Sequence, residues 1–381
     1  MHWNDIIGQQ ATVDALQRML LQQRIPQALL MLGDEGTGGV PISLAFATTV
    51  NCSAPIRSET SISPCGTCGS CRQAATLQHP NIRFVMSLPA GKGDTASDLK
   101  SEVLQELRET MQSIADDPYA EIRLTGATQI KIDQMRELKR SLSLSAAQAG
   151  HRVVIVHEAH ELTVEAANAF LKTLEEPHAD VTIILTSSQP ERILATIASR
   201  CQVMTLMPID DTTLVNALVQ RDKCTREEAS LIAPFASGSL TRAYRFLGED
   251  MQSDRETILN LLRAALRGSG YRLGVTELVD TVADGRNKHR LILMLSLLQL
   301  WIRDAMAIER DGSDARIANI DQQASLEKFA EAYRGADYGG VFSAIDEAVR
   351  LVHRNVTPSL IIVSTMLRLR SLFQRARTLQ S

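Results

Sequence analysis

Aromatic residues make up only 4% of this 381-residue chain, too few for a surface on which successive bases of a single strand would stack. Positive charge is not in excess: 40 Lys and Arg stand against 44 Asp and Glu, for a net charge of −4. No overall polybasic character therefore advertises nucleic acid, although net charge is silent about local distribution. No uninterrupted apolar run approaches the ~20 residues that span a bilayer. The start, Met1-His2-Trp3-Asn4-Asp5, has neither the Lys/Arg region nor the apolar stretch of a secretory signal. A soluble, cytoplasmic protein without a membrane partner is expected. In such a compartment six cysteines point to metal rather than to disulfides.

A further lack concerns one stretch. Leu29 to Leu32 is an apolar run, Gly33-Asp34-Glu35-Gly36-Thr37-Gly38-Gly39-Val40-Pro41 follows, and a helix-like segment runs on from Ile42. That is the layout of a phosphate-binding P-loop, which requires G-x-x-x-x-G-K-[ST]. Gly33 and Gly38 fall in register, but the lysine position holds Gly39 and the Mg²⁺-ligand position holds Val40. Pro41 also removes a backbone N–H near the phosphate site. Gly36 to Gly39 still offers amides, yet a loop without cation or hydroxyl is not expected to hydrolyse a nucleotide, and no ATP cofactor is expected. A second loss agrees. The apolar strand Val153–Val156 ends in His157-Glu158, where P-loop ATPases place an Asp for Mg²⁺ and a Glu for water. Ordinary polar roles are expected for His157 and His160, not metal ligation.

Five apolar strands (Ala28–Leu32, Asn81–Met86, His151–Glu158, Val181–Thr186, Gln202–Leu206) alternate with helices. This predicts an α/β doubly wound parallel sheet with ligands at the carboxyl ends of the strands. The helix before Glu175 has an N-cap at Thr163 and a stop at Pro177. Gly91–Thr128 reads as a surface insertion carrying a solvated helix, Ser97–Ile114. Beyond Pro208 no strand is evident: three short helices reach Leu247, a linker is expected near Gly248-Glu249-Asp250, and long helices continue to the end. The expected divisions are 1–207, 208–249 and 250–381.

Cys52, Cys65, Cys68 and Cys71 give C-x12-C-x2-C-x2-C in one loop. Four thiolates at that spacing can close a tetrahedral Zn²⁺ site that leaves no position for catalysis, so the metal is structural. Gly66 and Gly69 are read as turns between the ligands. An iron–sulfur cluster fits the spacing too, but nothing else suggests redox chemistry. Cys201 and Cys224 are read as small buried apolar residues.

Two runs carry a family resemblance. Ala166-Ala167-Asn168-Ala169-Phe170-Leu171-Lys172-Thr173-Leu174-Glu175-Glu176-Pro177 and Ala195-Thr196-Ile197-Ala198-Ser199-Arg200-Cys201-Gln202 resemble the signatures of bacterial DNA polymerase III clamp-loader subunits. Gly8-Gln9, the four-cysteine insertion and His79-Pro80 fit as well. The resemblance implies an AAA+ module, a small helical lid (208–249) and a C-terminal helical collar. Within the family, motor subunits keep an intact P-loop and delta-prime-type subunits have commonly lost it. The degenerate loop here (Gly33, Gly36, Gly38, Gly39, Val40, with His157 and Glu158) thus implies a non-motor role. Its partners would be the motor and delta subunits of a heteropentamer, the sliding clamp and primed DNA. Arg200 would be a finger acting in trans on a neighbour's ATP, an effect worth roughly 4–7 kcal/mol. In the lid, Gly238-Ser239-Leu240-Thr241 puts Arg242 one place after the family's arginine, a turn of about 100° on a helix. Thr186-Ser187-Ser188 matches a polar sensor position. Two other readings are an active motor ATPase, distinguishable by ATP turnover, and a zinc-dependent nucleic-acid-binding module, distinguishable by salt-dependent DNA binding.

Overall fold

The structure, a computed structural model, describes residues 1–89, 99–143, 150–175, 178–247, 251–268, 270–282, 288–315, 317–353 and 356–378. The expected stop at Pro177, the linker Gly248–Asp250 and residues 91–98 of the expected insertion lie outside these. The chain divides into two compact units, Met1–Leu247 and Gly248–Ser381.

The first unit opens with α1 (Gln10–Leu21), β1 (Ala28–Leu32) and α2 (Gly39–Asn51). A small hairpin, β2 (Ile56–Arg57) and β3 (Ile62–Ser63), precedes α3 (Gly69–Ala75) and β4 (Ile82–Val85). Then come β5 (Leu88–Pro89), α4 (Ser101–Asp116), β6 (Ala127–Gln129) and α5 (Ile132–Ser143). The series β7 (Arg152–Val156), α6 (Val164–Glu175), β8 (Val181–Ser187), α7 (Ala195–Ala198) and β9 (Gln202–Thr205) follows. Three helices close the unit: α8 (Asp211–Gln220), α9 (Arg226–Ala236) and α10 (Leu240–Leu247).

The main sheet is parallel throughout, in the order β4-β7-β8-β1-β9. Its strands read as unbroken apolar runs because both faces are covered. Successive side chains alternate between those faces. Leu29, Met31, Val153, Ile155 and Ile184 join one core with Leu16, Leu20 and Phe46. Leu30, Val154, Val156, Ile183 and Leu185 join the other with Leu138, Leu142 and Phe170. Strand order reverses around β1, so its carboxyl end, and the loop that follows, sits at the switch point where such sheets bind ligands. Thr163 Oγ1 accepts from Ala166 N–H at 3.2 Å, the expected cap of α6.

The insertion departs from expectation. It is not a detached solvated helix: β5 and β6 pair antiparallel across its ends. Thr110 and Ile114 of α4 are buried, and beyond the helix Tyr119 and Leu124 are each 1% exposed. Charged residues on the outer face of α4 hid this, because only one side of the helix and the turn after it are apolar.

The second unit is helical among its described residues: α11 (Met251–Leu266), α12 (Tyr271–Val282), α13 (Lys288–Asp311), α14 (Gln323–Ala332), α15 (Tyr338–His353) and α16 (Pro358–Thr378). They enclose one core built on Leu259, Leu262, Met294, Leu298, Ile345 and Phe373. Within α13, Arg290–Asp311 is long and apolar enough to cross a membrane by length and composition, its most apolar 18-residue window having a mean hydropathy of 1.7. Polar side chains such as Ser296, Gln299 and Asp304 interrupt it, so no unbroken apolar run marks it in the sequence. Most of that window, 61%, is buried inside the unit, as expected for a core helix apolar nearly all round.

Candidate functional site

The glycine-rich loop follows the end of β1. Gly33 N–H donates to Ser187 O at 3.1 Å, and Thr37 Oγ1 donates to Asp34 O at 2.7 Å. Gly36 has φ +77°, and a Cβ there would lie 2.6 Å from Ser239 Oγ and from Thr241 N. Only glycine fits, because the first turn of α10 packs on the crest of the loop. Leu240 N–H donates to Gly36 O at 3.1 Å and Ser239 Oγ to Glu35 O at 2.6 Å. Gln9 braces the other side, its amide donating to Thr37 O (2.9 Å) and Met207 O (2.6 Å).

The cavity above this loop gathers residues that the sequence singled out. Gly33, Gly36, Gly38, Gly39, Val40, His157, Glu158, Thr186 and Ser187 line it, and its volume is about 30 Å³. That volume matches a water or two. Val40 and Pro41 are buried in the first turn of α2.

At the end of β7, polar side chains bind one another. Thr186 Oγ1 lies 3.3 Å from His157 Nδ1 and accepts from Glu158 N–H at 3.3 Å. His160 Nδ1 contacts Ser187 Oγ at 3.1 Å and Glu158 Oε2 at 2.9 Å. Ser188 donates to Glu158 Oε2 through its N–H (2.8 Å) and hydroxyl (2.9 Å). Burial works against the charged form of Glu158. The His160 hydrogen bond, the nearby His157 ring and the Ser188 N–H outweigh it and bring the carboxyl down to about 2. The sensor-like serines and threonine are thus engaged internally.

The rest of the lining was not anticipated. Pro118, Tyr119, Ala120 and Ile122, from the chain after α4, form one wall, and Thr241 of α10 joins them. Thr241 stands where the resemblance places an arginine, and its Oγ1 donates to Tyr119 O at 2.6 Å. Arg242 instead reaches Ala236 O at 3.2 Å and approaches Asp34 at 3.7 Å; it is absent from the cavity lining.

Arg200 lies apart from this cavity, at the end of α7. Its Nη1 donates to Thr196 O at 2.8 Å and its Nε to Glu175 Oε1 at 2.8 Å. Cys201 and Cys224 are half-buried rather than buried, and burial pushes the Cys201 thiol up to about 11.

The four cysteines Cys52, Cys65, Cys68 and Cys71 form a third centre, with all sulfurs within 4.8 Å of one another. The Cys52–Cys68 and Cys65–Cys71 sulfurs are 3.9 and 4.0 Å apart. A tetrahedral zinc with Zn–S bonds of about 2.3 Å sets edges near 3.8 Å, so the donor set fits such an ion. Backbone N–H groups of Cys65, Cys68 and Cys71 point at Cys52, Cys65 and Cys68 sulfurs at 3.2–3.4 Å, which favours thiolates. Gly66 has φ +76° with His2 beside it, as a turn between ligands needs; Gly69 opens α3 with free space around it and makes no such turn.

A model of the family described as DNA polymerase III, delta subunit, matches residues 8–210, the stretch that holds the sheet, the loop and the cysteines. The chain belongs to this family. Relatives agree. The tau subunit of DNA polymerase III from Bacillus subtilis (strain 168) is 27% identical over 313 residues, covering 81% of this chain and 48% of its own. The delta′ subunit of the same organism is 22% identical over 335 residues, 88% of each chain. The delta′ subunit of Escherichia coli (strain K12) is 32% identical over 197 residues, 51% of this chain and 56% of its own. The chain thus spans about half the length of the tau relatives it matches.

Proposed function

We propose that the chain is a non-catalytic, delta-prime-like subunit of a DNA polymerase III clamp loader. It would help place a sliding clamp on primed DNA and supply Arg200 in trans to the ATP of a neighbouring motor subunit. The observation that carries the reading is the phosphate loop itself: Gly39 and Val40 replace the cation and the hydroxyl, and the cavity above holds about 30 Å³. In this reading residues 1–207 form an AAA+ module, 208–249 a helical lid and 250–381 a collar for assembly with the motor and delta subunits in a heteropentamer. The four cysteines hold a structural zinc, and the protein works in the cytoplasm. Arg200 supports the trans role because its guanidinium is partly exposed, with side-chain accessibility of 32%, and its planar fork suits phosphate oxygens.

A second reading, a tau-like motor, draws on the 27% identity to tau across 81% of the chain. Isothermal titration of the isolated chain with ATP and Mg²⁺ separates the two. Absence of binding and turnover is expected; tight binding with hydrolysis would overturn the first reading.

A further inference from the structure

The segment 117–122, whose Pro118, Tyr119, Ala120 and Ile122 form that wall, is tied to the rest of the unit at several points. Tyr119 is 1% exposed. Its Oη accepts from Ile7 N–H at 2.8 Å, and a Cβ on Gly38 of the loop would lie 3.6 Å from that oxygen. The Arg221 guanidinium lies over its ring, 5.0 Å from the centroid. Arg221 Nη1 donates to Asp117 Oδ1 (2.7 Å) and Tyr244 Oη (3.1 Å), while Tyr244 donates to Asp117 Oδ2 (2.8 Å). Further along, Arg245 bridges Glu35 of the loop (2.7 Å) and Glu121 of the wall (2.9 Å). The insertion, the phosphate loop, the N-terminal segment and helices α8 and α10 therefore meet around one tyrosine.

We propose that Asp117–Ile122 is a built-in occupant of the phosphate-loop cavity. Tyr119, held against Gly38 by Ile7, Arg221 and Thr241, keeps the cavity shut to nucleotide and joins α8–α10 to the loop. This deepens the non-catalytic reading and rests on it. It adds that the loop is closed sterically as well as stripped of its chemistry. A chain whose loop regains lysine and hydroxyl stays closed while Tyr119 is in place.

The test starts from the full chain with Gly39→Lys and Val40→Thr, titrated with a fluorescent ATP analogue and Mg²⁺ with and without Tyr119→Ala. The repaired loop alone is expected to bind no better than wild type, and adding Tyr119→Ala to raise affinity by at least about tenfold. Equal binding by the repaired chain with and without Tyr119 overturns the proposal. Hydrogen exchange of the Gly36–Val40 amides gives a second readout that needs no repair. Tyr119→Ala, or Asp117→Ala if the former does not fold, is expected to speed it by about tenfold while β7 amides stay protected. Unchanged exchange overturns the proposal even where neither repaired chain binds. Failure of the non-catalytic reading would show separately, as ATP turnover by the unaltered chain.

Discussion

Glu175 Oε1 receives two donors from Arg200, Nε at 2.8 Å and Nη2 at 2.5 Å. The last residue of α6 thereby fixes the direction of the proposed finger. Both side chains are substantially exposed, 32% and 46%, so the pair contributes at most about 1 kcal/mol to stability. Arg200→Ala is expected to melt within a degree or two of wild type while lowering ATP turnover of a reconstituted assembly. Arg200→Lys should not restore the rate, because an ammonium lacks the fork. An undiminished rate in Arg200→Ala removes the finger.

Cys68 is both a proposed zinc ligand and the N-cap of α3, its sulfur accepting from Cys71 N–H. Serine is a good N-cap, so Cys68→Ser removes a ligand and keeps the cap. Metal analysis is expected to find about one zinc per wild-type chain and markedly less in the variant, with faster proteolysis of the Cys52–Cys71 loop. Metal-free wild type protein would end the zinc assignment.

Glu158 titrates at about 2, below its ordinary 4.5. A carboxyl depressed in the folded state stabilises the fold at pH values above its unfolded value, and that contribution fades as pH falls from about 4.5 towards 2. Its size is at most about 3 kcal/mol. Urea melts of wild type and Glu158→Gln should therefore differ most at neutral pH and converge in acid. A gap that is constant with pH would show that the carboxylate charge is not the source.

In the helical unit, Asp304 of α13 is 1% exposed. Its Oδ2 accepts from Ala318 N–H, Asn319 N–H and Asn319 Nδ2 at 2.7–2.9 Å. Asp304→Ala leaves the donors of a fully buried asparagine unpaired, at a cost of about 3 kcal/mol. A lower urea midpoint for this unit is the expected result; a shift near zero would mean that water replaces the carboxylate.

The sheet and the helix boundaries were largely legible because both follow from periodicity. Continuous apolar runs at Leu29–Leu32 and Val153–Val156 read as strands covered on two faces, and the chain beyond Pro208, expected to hold only helices, has no strand among its described residues. The cysteine cluster was legible because Cys65, Cys68 and Cys71 are closely spaced; the β2–β3 hairpin returns the chain so that Cys52 joins them. Tyr119 was not. It lies 112 residues from Ile7 and 122 from Thr241, and a tyrosine between Pro118 and Ala120 has no periodicity to mark it. Gly69 shows the same limit at short range, since spacing cannot reveal which glycine carries the positive φ.

The sequence by itself determined that the phosphate loop lacks a cation at 39 and a hydroxyl at 40 and that the end of β7 lacks a carboxylate at 157, since identity at a position is chemistry already. Only the tertiary structure decided what fills the space above that loop. Occupancy depends on which distant segments pack there, and burial of a tyrosine among Ile7, Arg221 and Thr241 is a contact between parts of the chain that share no local pattern.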